Sequence, residues 1–186
     1  MRLLPLFLLL VAASLTACVQ VPVIKDTKVS NLAVTSVWDI PTKFPVGAKY
    51  SISPQHLKKV SNKKGEIKNA YQRYADAIKA NFDEHGFQEA SNADTAEFYV
   101  RFVLALSEDL DDKTISEKFG ITPGLQESQE LDKGSILVAI SDAKTGQRIW
   151  HGAIQGFVQE EATEQEREKR RRYVLNMVLA QFYKSH

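Results

Sequence analysis

The chain has 186 residues, 24 basic against 23 acidic side chains, and a single cysteine. A charge this close to balance argues against a general binder of nucleic acid or other polyanions. One cysteine excludes an intrachain disulfide, so the core must hold by packing, and the length suits one domain with a sizeable core.

The first segment is MRLLPLFLLLVAASLTAC. One charge at Arg2, an apolar run over 3–13 and then small residues are the order of a secretory signal peptide. The run is too short for a spanning helix, which needs about 20 residues. Residues 1–17 are therefore expected to be removed. Leu-Thr-Ala-Cys, residues 15–18, resembles the bacterial lipobox, in which the cysteine thiol takes a diacylglyceryl group and its amine is then acylated, commonly with palmitate. Cys18 is the expected lipidation site; the alternative is a buried cysteine after an ordinary signal peptide. Two or three acyl chains would hold the protein on a membrane, because each buried CH₂ adds about 0.8 kcal/mol. Val19, not Asp, follows the cysteine. By the enterobacterial sorting rule this points to the outer membrane, facing the periplasm. Residues 18–30 are expected to be the lipidated cysteine and a tether, and 31–186 a single domain.

Along that domain, NLAVTSVWD (31–39) alternates and is rich in β-branched residues, as a strand should be. AKYSIS (48–53) is a second, short strand. In 66–85, Ile67, Ala70, Tyr71, Tyr74, Ile78 and Phe82 recur at three- and four-residue steps, which predicts an amphipathic helix stopped at Gly86. Its two tyrosines are assigned to the core. EFYVRFVLAL (97–106) alternates again. GSILVAISDAKTGQRIWHGAIQGFV (134–158) predicts a hairpin turning over Asp142–Gly146, with Gly152 and Gly156 at bulges or where a helix packs close. Thr163 and Glu166 form a capping box for a last helix with Leu175, Val178, Leu179 and Phe182 on its apolar side. In that helix EREKRRR is a solvated, ion-paired face, by the spacings Glu166–Arg170 and Glu168–Arg172. The order β-β-α-β-β-β-α predicts an α+β two-layer sandwich: a mostly antiparallel sheet of about five strands with two helices on one face.

The chain also resembles a family of bacterial lipoproteins, the domain-of-unknown-function family 4136, over most of 27–183. The resemblance lies in the lipobox, in the Phe44…Tyr50 segment ending at Pro54, and in the helix closing on HGF before NADTAEFYVRF. Most specific are Gly134, Leu137, Asp142, Thr145, Gly146, Trp150 and Gly152 of the hairpin, followed by a terminal helix ending in LAQFY. Leu137 is displaced by one position, and an acidic central segment replaces a Gly/Tyr-rich one. The resemblance implies no activity, cofactor or catalytic residue.

Chemistry is sparse in the pattern. The histidines, His56, His85, His151 and His186, are scattered, no metal-ligand spacing appears, and neither a phosphate loop nor a nucleophile elbow is present. No catalytic residue, cofactor or metal is expected. One region stands apart. Residues 107–133 carry eight acidic and three basic side chains without a sustained period, around an apolar island of Phe119, Ile121 and Leu125. Loops of this length are usually functional or disordered, so the three island residues are the candidate partner contacts. The expected function is a membrane-anchored, non-catalytic interaction or structural module with an envelope protein or cell-wall partner and no nucleic acid. A carrier of an apolar ligand between sheet and helices, and a hydrolase with a dispersed site, are the alternatives.

Overall fold

A computed structural model of the chain describes residues 31–54, 64–106, 110–122, 124–126, 132–158 and 161–184. The expectations for the leader, Cys18 and the tether, and part of those for 107–133, lie outside the described residues. Asn31–His186 cluster as one unit.

Six strands form one sheet: β1 (Leu32–Trp38), β2 (Lys49–Pro54), β3 (Gln88–Glu89), β4 (Phe98–Leu106), β5 (Lys133–Asp142) and β6 (Arg148–Phe157). Their order across the sheet is β1-β6-β5-β4-β2-β3. The expectation of about five mostly antiparallel strands needs correction here. The sheet is mixed, because β2 runs parallel to both β3 and β4, while the β1-β6-β5-β4 half is antiparallel throughout. The parallel pairing follows from the crossover: helix α1 (Lys64–Glu84) separates β2 from β3 and β4, and returns the chain in the direction in which it left.

The long helices α1 and α3 (Glu164–Tyr183) cover one face. Alternation along the strands sends Phe98, Val100 and Phe102, then Ile136, Val138 and Ile140, then Trp150 and Ile154 to that face. There they meet Ile78 and Phe82 of α1 and Val174, Leu175, Val178 and Phe182 of α3. Phe82 sits at the centre of the aromatic packing, with ring centroids 5.0 Å from Tyr50, 5.9 Å from Phe98 and 6.0 Å from Phe182. Tyr71 belongs to this core, as expected. Its hydroxyl donates to the Leu104 carbonyl at 3.3 Å and accepts from the Leu104 N–H at 3.1 Å. It thereby serves the backbone of β4 beyond the end of β2, where none of the described strands pairs with that edge.

Gly152 and Gly156 lie where neighbours come close. A Cβ at Gly152 would stand 2.5 Å from the Trp150 ring and 2.8 Å from the Val178 side chain. The capping box at Thr163 and Glu166 is present. For Glu168 and Arg172 the pairing differs from the spacing argument. Arg171, 6 % exposed, pairs with Glu164 and Glu168, and Arg172 reaches across to Glu84 of α1 at 2.8 Å.

The largest correction is a third helix, α2 (Asp112–Phe119), inside the acidic segment. Its caps are local: Asp111 Oδ1 accepts from the Thr114 N–H at 2.7 Å, and Gly120 closes it at φ 69°, a conformation that favours glycine. Leu110, Ile115 and Ile121 are buried on Val103, Ala105, Leu137 and Ala153. Those strand residues alternate with the ones facing α1 and α3, so α2 lies on the opposite face. Over this part of the sheet the domain has three layers, not two. Among the described residues, no helix is long and apolar enough to cross a membrane.

Candidate functional site

The face under α2 is built from small side chains. Beside Leu137, the small Ala105, Ser135, Ala139 and Ala153 leave a shallow seat, and the described residues 110–122 and 124–125 lie across it as a strap. Two polar clusters hold the strap down. In the first, the Lys133 ammonium, 4 % exposed, donates to Asp112 Oδ2 at 2.8 Å and to the Leu125 carbonyl at 3.3 Å. The fully buried Gln155 donates to Asp112 Oδ1 at 2.6 Å and to Ser135 Oγ at 3.1 Å, and its Oε1 accepts from the Leu125 N–H at 3.1 Å. Buried polar groups are thus satisfied in a connected set, which ties both ends of the strap to β5 and β6.

The second cluster centres on Asp39, just past β1. Arg148 grips it with Nε on Oδ2 at 2.9 Å and Nη2 on Oδ1 at 3.0 Å, a two-pronged geometry that favours Arg over Lys. Arg148 Nη1 also donates to the Phe119 carbonyl of the strap at 3.3 Å. His151 Nδ1–H donates to Asp39 Oδ2 at 2.8 Å; a carboxylate only accepts, which fixes that ring nitrogen as the donor. His151 is 4 % exposed, and its Nε2 has no hydrogen-bond partner among the described residues. Beside it a cleft of about 30 Å³ is lined by Arg101, Phe119, Ile121, Ala139, Arg148 and His151, among others. That is room for one or two waters. None of its lining residues is a serine, threonine or cysteine.

Each aspartate has its carboxyl held below the ordinary value. For Asp39, burial pushes upward, but the hydrogen bonds from Arg148 and His151 outweigh it. For Asp112, burial is likewise outweighed by Lys133 and Gln155. A carboxylate whose folded-state value is lowered contributes stability that is present above the unfolded-state value and is lost as pH falls through the folded-state one. The strap is therefore expected to loosen below about pH 4, where an unfolded Asp begins to protonate. Amide hydrogen exchange followed from pH 7 to 2 checks this. Protection at Ile115 and Ile121 should fall before protection at Phe82 and Leu179. Simultaneous loss in both layers would mean that the aspartates do not hold the strap.

Of the expected partner contacts, Ile121 is 5 % exposed and Phe119 and Leu125 are half-buried. Ile121 and Phe119 pack on the sheet, and the Leu125 backbone is bonded to Gln155 and Lys133. The outward side of the strap is polar: Lys113, Ser116, Glu117, Lys118 and Thr122 are exposed. His85 lies elsewhere, stacked on Tyr183 at 3.6 Å, and His56 and His186 are outside the described residues. Among the described residues, no three His, Cys, Asp or Glu side chains gather where they could hold a metal ion. Asp39, Arg101 and His151 were not singled out by any motif or spacing. The available signal was alternation: with Trp150 turned to the helices, His151 must face the other way, a polar residue within a buried strand.

The family model described as "Domain of unknown function (DUF4136)" matches residues 34–182. No curated protein matches the chain at a significant level. Among solved structures, it is similar to a DUF4136 family protein from Bacteroides thetaiotaomicron, at 12 % identity with a TM-score of 0.51, covering 81 % of this chain and 95 % of that one. It is also similar to PelC from Paraburkholderia phytofirmans, a dodecamer, at 7 % identity with a TM-score of 0.50, covering 80 % and 95 %. A PDZ domain protein from Parabacteroides distasonis matches at 8 % identity with a TM-score of 0.51, covering 81 % of this chain but 35 % of that one. At these identities the likeness is one of fold.

Proposed function

The chain belongs to the DUF4136 family, and from that premise we propose that it is a lipoprotein of the bacterial envelope, anchored through Cys18 to the outer membrane, whose domain binds an envelope protein or cell-wall partner without catalysis. The binding face is the sheet face that carries the strap. The observation that carries this is the asymmetry of the two faces. One is covered by α1 and α3, whose aromatic rings pack on those of the sheet. On the other, the strap covers the β4-β5-β6 region and leaves Tyr99 and Arg101 half-exposed beside it. This aromatic core, packed between sheet and helices, weighs against an apolar-ligand carrier. The lack of a nucleophile in the cleft weighs against a hydrolase of the acyl-transfer type.

The role expected for residues 107–133 is kept in a narrower form. Phe119, Ile121 and Leu125 anchor the strap, and its polar outer side and the neighbouring open strip meet the partner. Photo-crosslinking in intact cells tests it. A crosslinker at Lys118 or Tyr99 should give adducts, and one at the exposed Lys169 of α3 should not. Adducts from Lys169 alone would assign binding to the helical side.

The anchor has its own test. Cys18→Ser should abolish incorporation of labelled fatty acid, because no other thiol exists in the chain. Label persisting in the variant would remove the lipobox argument, and inner-membrane enrichment of the parent protein on a density gradient would remove the assignment to the outer membrane.

A further inference from the structure

What the binding face would bind is indicated by the orphaned nitrogen of His151, and the inference below rests on that face being the binding face. The ring is tied at Nδ1 to Asp39, while Nε2 is buried without a partner among the described residues. Buried polar atoms in folded proteins nearly always have a partner, so this one calls for a water or a ligand group in the cleft. In the neutral ring Nε2 would need a donor, and in the charged ring an acceptor. The surroundings decide between the two. A Cβ placed on Gly120 would lie 4.0 Å from His151 Nε2 and 3.8 Å from Arg148 Nη2, so both atoms border the space that this glycine leaves open beneath the strap. Arg101 lines the same cleft, one row across the sheet through Ala139. Its guanidinium lies over the Tyr99 ring at 5.7 Å and makes no hydrogen bond within the described residues. Asp39, the acid of this cluster, is already engaged by Arg148 and His151. Two guanidiniums around an orphaned imidazole nitrogen repel a cation and favour an anion.

We propose that the cleft between Arg101, Arg148 and His151 is a binding site for a small oxyanion, a carboxylate or phosphate group, either as a free ion or as the charged end of a larger envelope molecule. Nε2–H of the imidazolium and the unengaged N–H groups of Arg101 donate to its oxygens. Arg148 adds charge while it stays on Asp39. The cleft seats only the head of the ligand; anything larger extends past Arg101 over Tyr99, on the part of the face that the strap leaves open.

The test uses the full chain in detergent with isotope-labelled histidine. It is titrated separately with inorganic phosphate and with acetate, each replacing chloride at constant ionic strength. The His151 ring signals, recognised by the protected Nδ1–H bonded to Asp39, should shift saturably with at least one anion, while those of His85 stay in place. Arg101→Ala should weaken the apparent affinity by about tenfold or more, as expected on losing a charge-assisted hydrogen bond, without changing the melting temperature. Arg101→Lys should recover part of the loss. Glycerol 3-phosphate compared with phosphate, and N-acetyl-alanyl-alanine compared with acetate, separate the two sources. Tighter binding of the larger probe marks the end of a larger molecule, and parity marks the free ion. The proposal is overturned if the His151 ring does not respond to any of the four, or if Arg101→Ala titrates like the parent. Crosslinks from Tyr99 that persist alongside such a result would leave the binding-face reading standing without its oxyanion. Anion binding with no crosslinks from that face would do the reverse.

Discussion

Replacing Trp150 with alanine is expected to destabilise the domain by about 3–5 kcal/mol, the usual cost of deleting a large buried aromatic. Trp150 is fully buried, packs against Phe182 with ring centroids 5.8 Å apart, and occupies the space above Gly152. Its indole N–H has no hydrogen-bond partner among the described residues, so the side chain contributes by volume and contact alone. It follows that Trp150→Phe should cost markedly less than Trp150→Ala. Gly152→Ala alone should cost about 1–3 kcal/mol through overpacking against Trp150 and Val178. Combined with Trp150→Ala it should cost less than the sum, because the indole that the new methyl strikes is gone. Chemical denaturation of the parent and the four variants measures all of this. A loss under about 1 kcal/mol for Trp150→Ala would mean that the hairpin does not carry the core. Strict additivity would mean that the tryptophan is not what keeps residue 152 a glycine.

Removing Asp112 is the second large effect. Asp112→Ala strands the Lys133 ammonium, 4 % exposed, with the Leu125 carbonyl as its remaining acceptor, and leaves the Gln155 amide with Ser135 Oγ alone to donate to. The expected cost is about 3 kcal/mol, the lower end for breaking a buried ion pair, since the Asp112 side chain is itself 34 % exposed. Because the cost comes from the charge left behind, Asp112→Ala combined with Lys133→Met should restore most of the stability. A double variant as unstable as the single one would show that the pair matters for the shape of the strap and not for its charge. Hydrogen exchange would locate the damage: residues 110–122 should open in Asp112→Ala while α1 and α3 keep their protection.

How far each element could be read in advance follows from how its information is stored. The periodicity of Tyr71, Tyr74, Ile78 and Phe82, the alternation through Phe98–Leu106, the Asp142–Gly146 turn and the Thr163–Glu166 box are local patterns. Each states its own secondary structure and which of its sides is apolar. Trp150 could be assigned to the core for the same reason. Helix α2 gave no such pattern. It is eight residues long with a single fully buried side chain within it, Ile115, so its apolar contacts do not repeat, and an acidic composition hid it. The strand direction of β2 was equally silent, because alternation is the same for a parallel and an antiparallel neighbour.

An α+β domain with a hydrophobic hairpin, two long amphipathic helices and the likeness to its family were thus legible in advance, since those rest on periods of two and 3.6 residues and on contiguous motifs. Only long-range packing set which side of the sheet the acidic segment occupies, and brought Arg101, Arg148 and His151 around one cleft, with Asp39 bonded to the last two. They come from three different strand regions, and their meeting depends on the register Val37–His151, His151–Ala139 and Ala139–Arg101. Register is set by which faces bury together across the whole sheet, a property that belongs to no single segment of the chain.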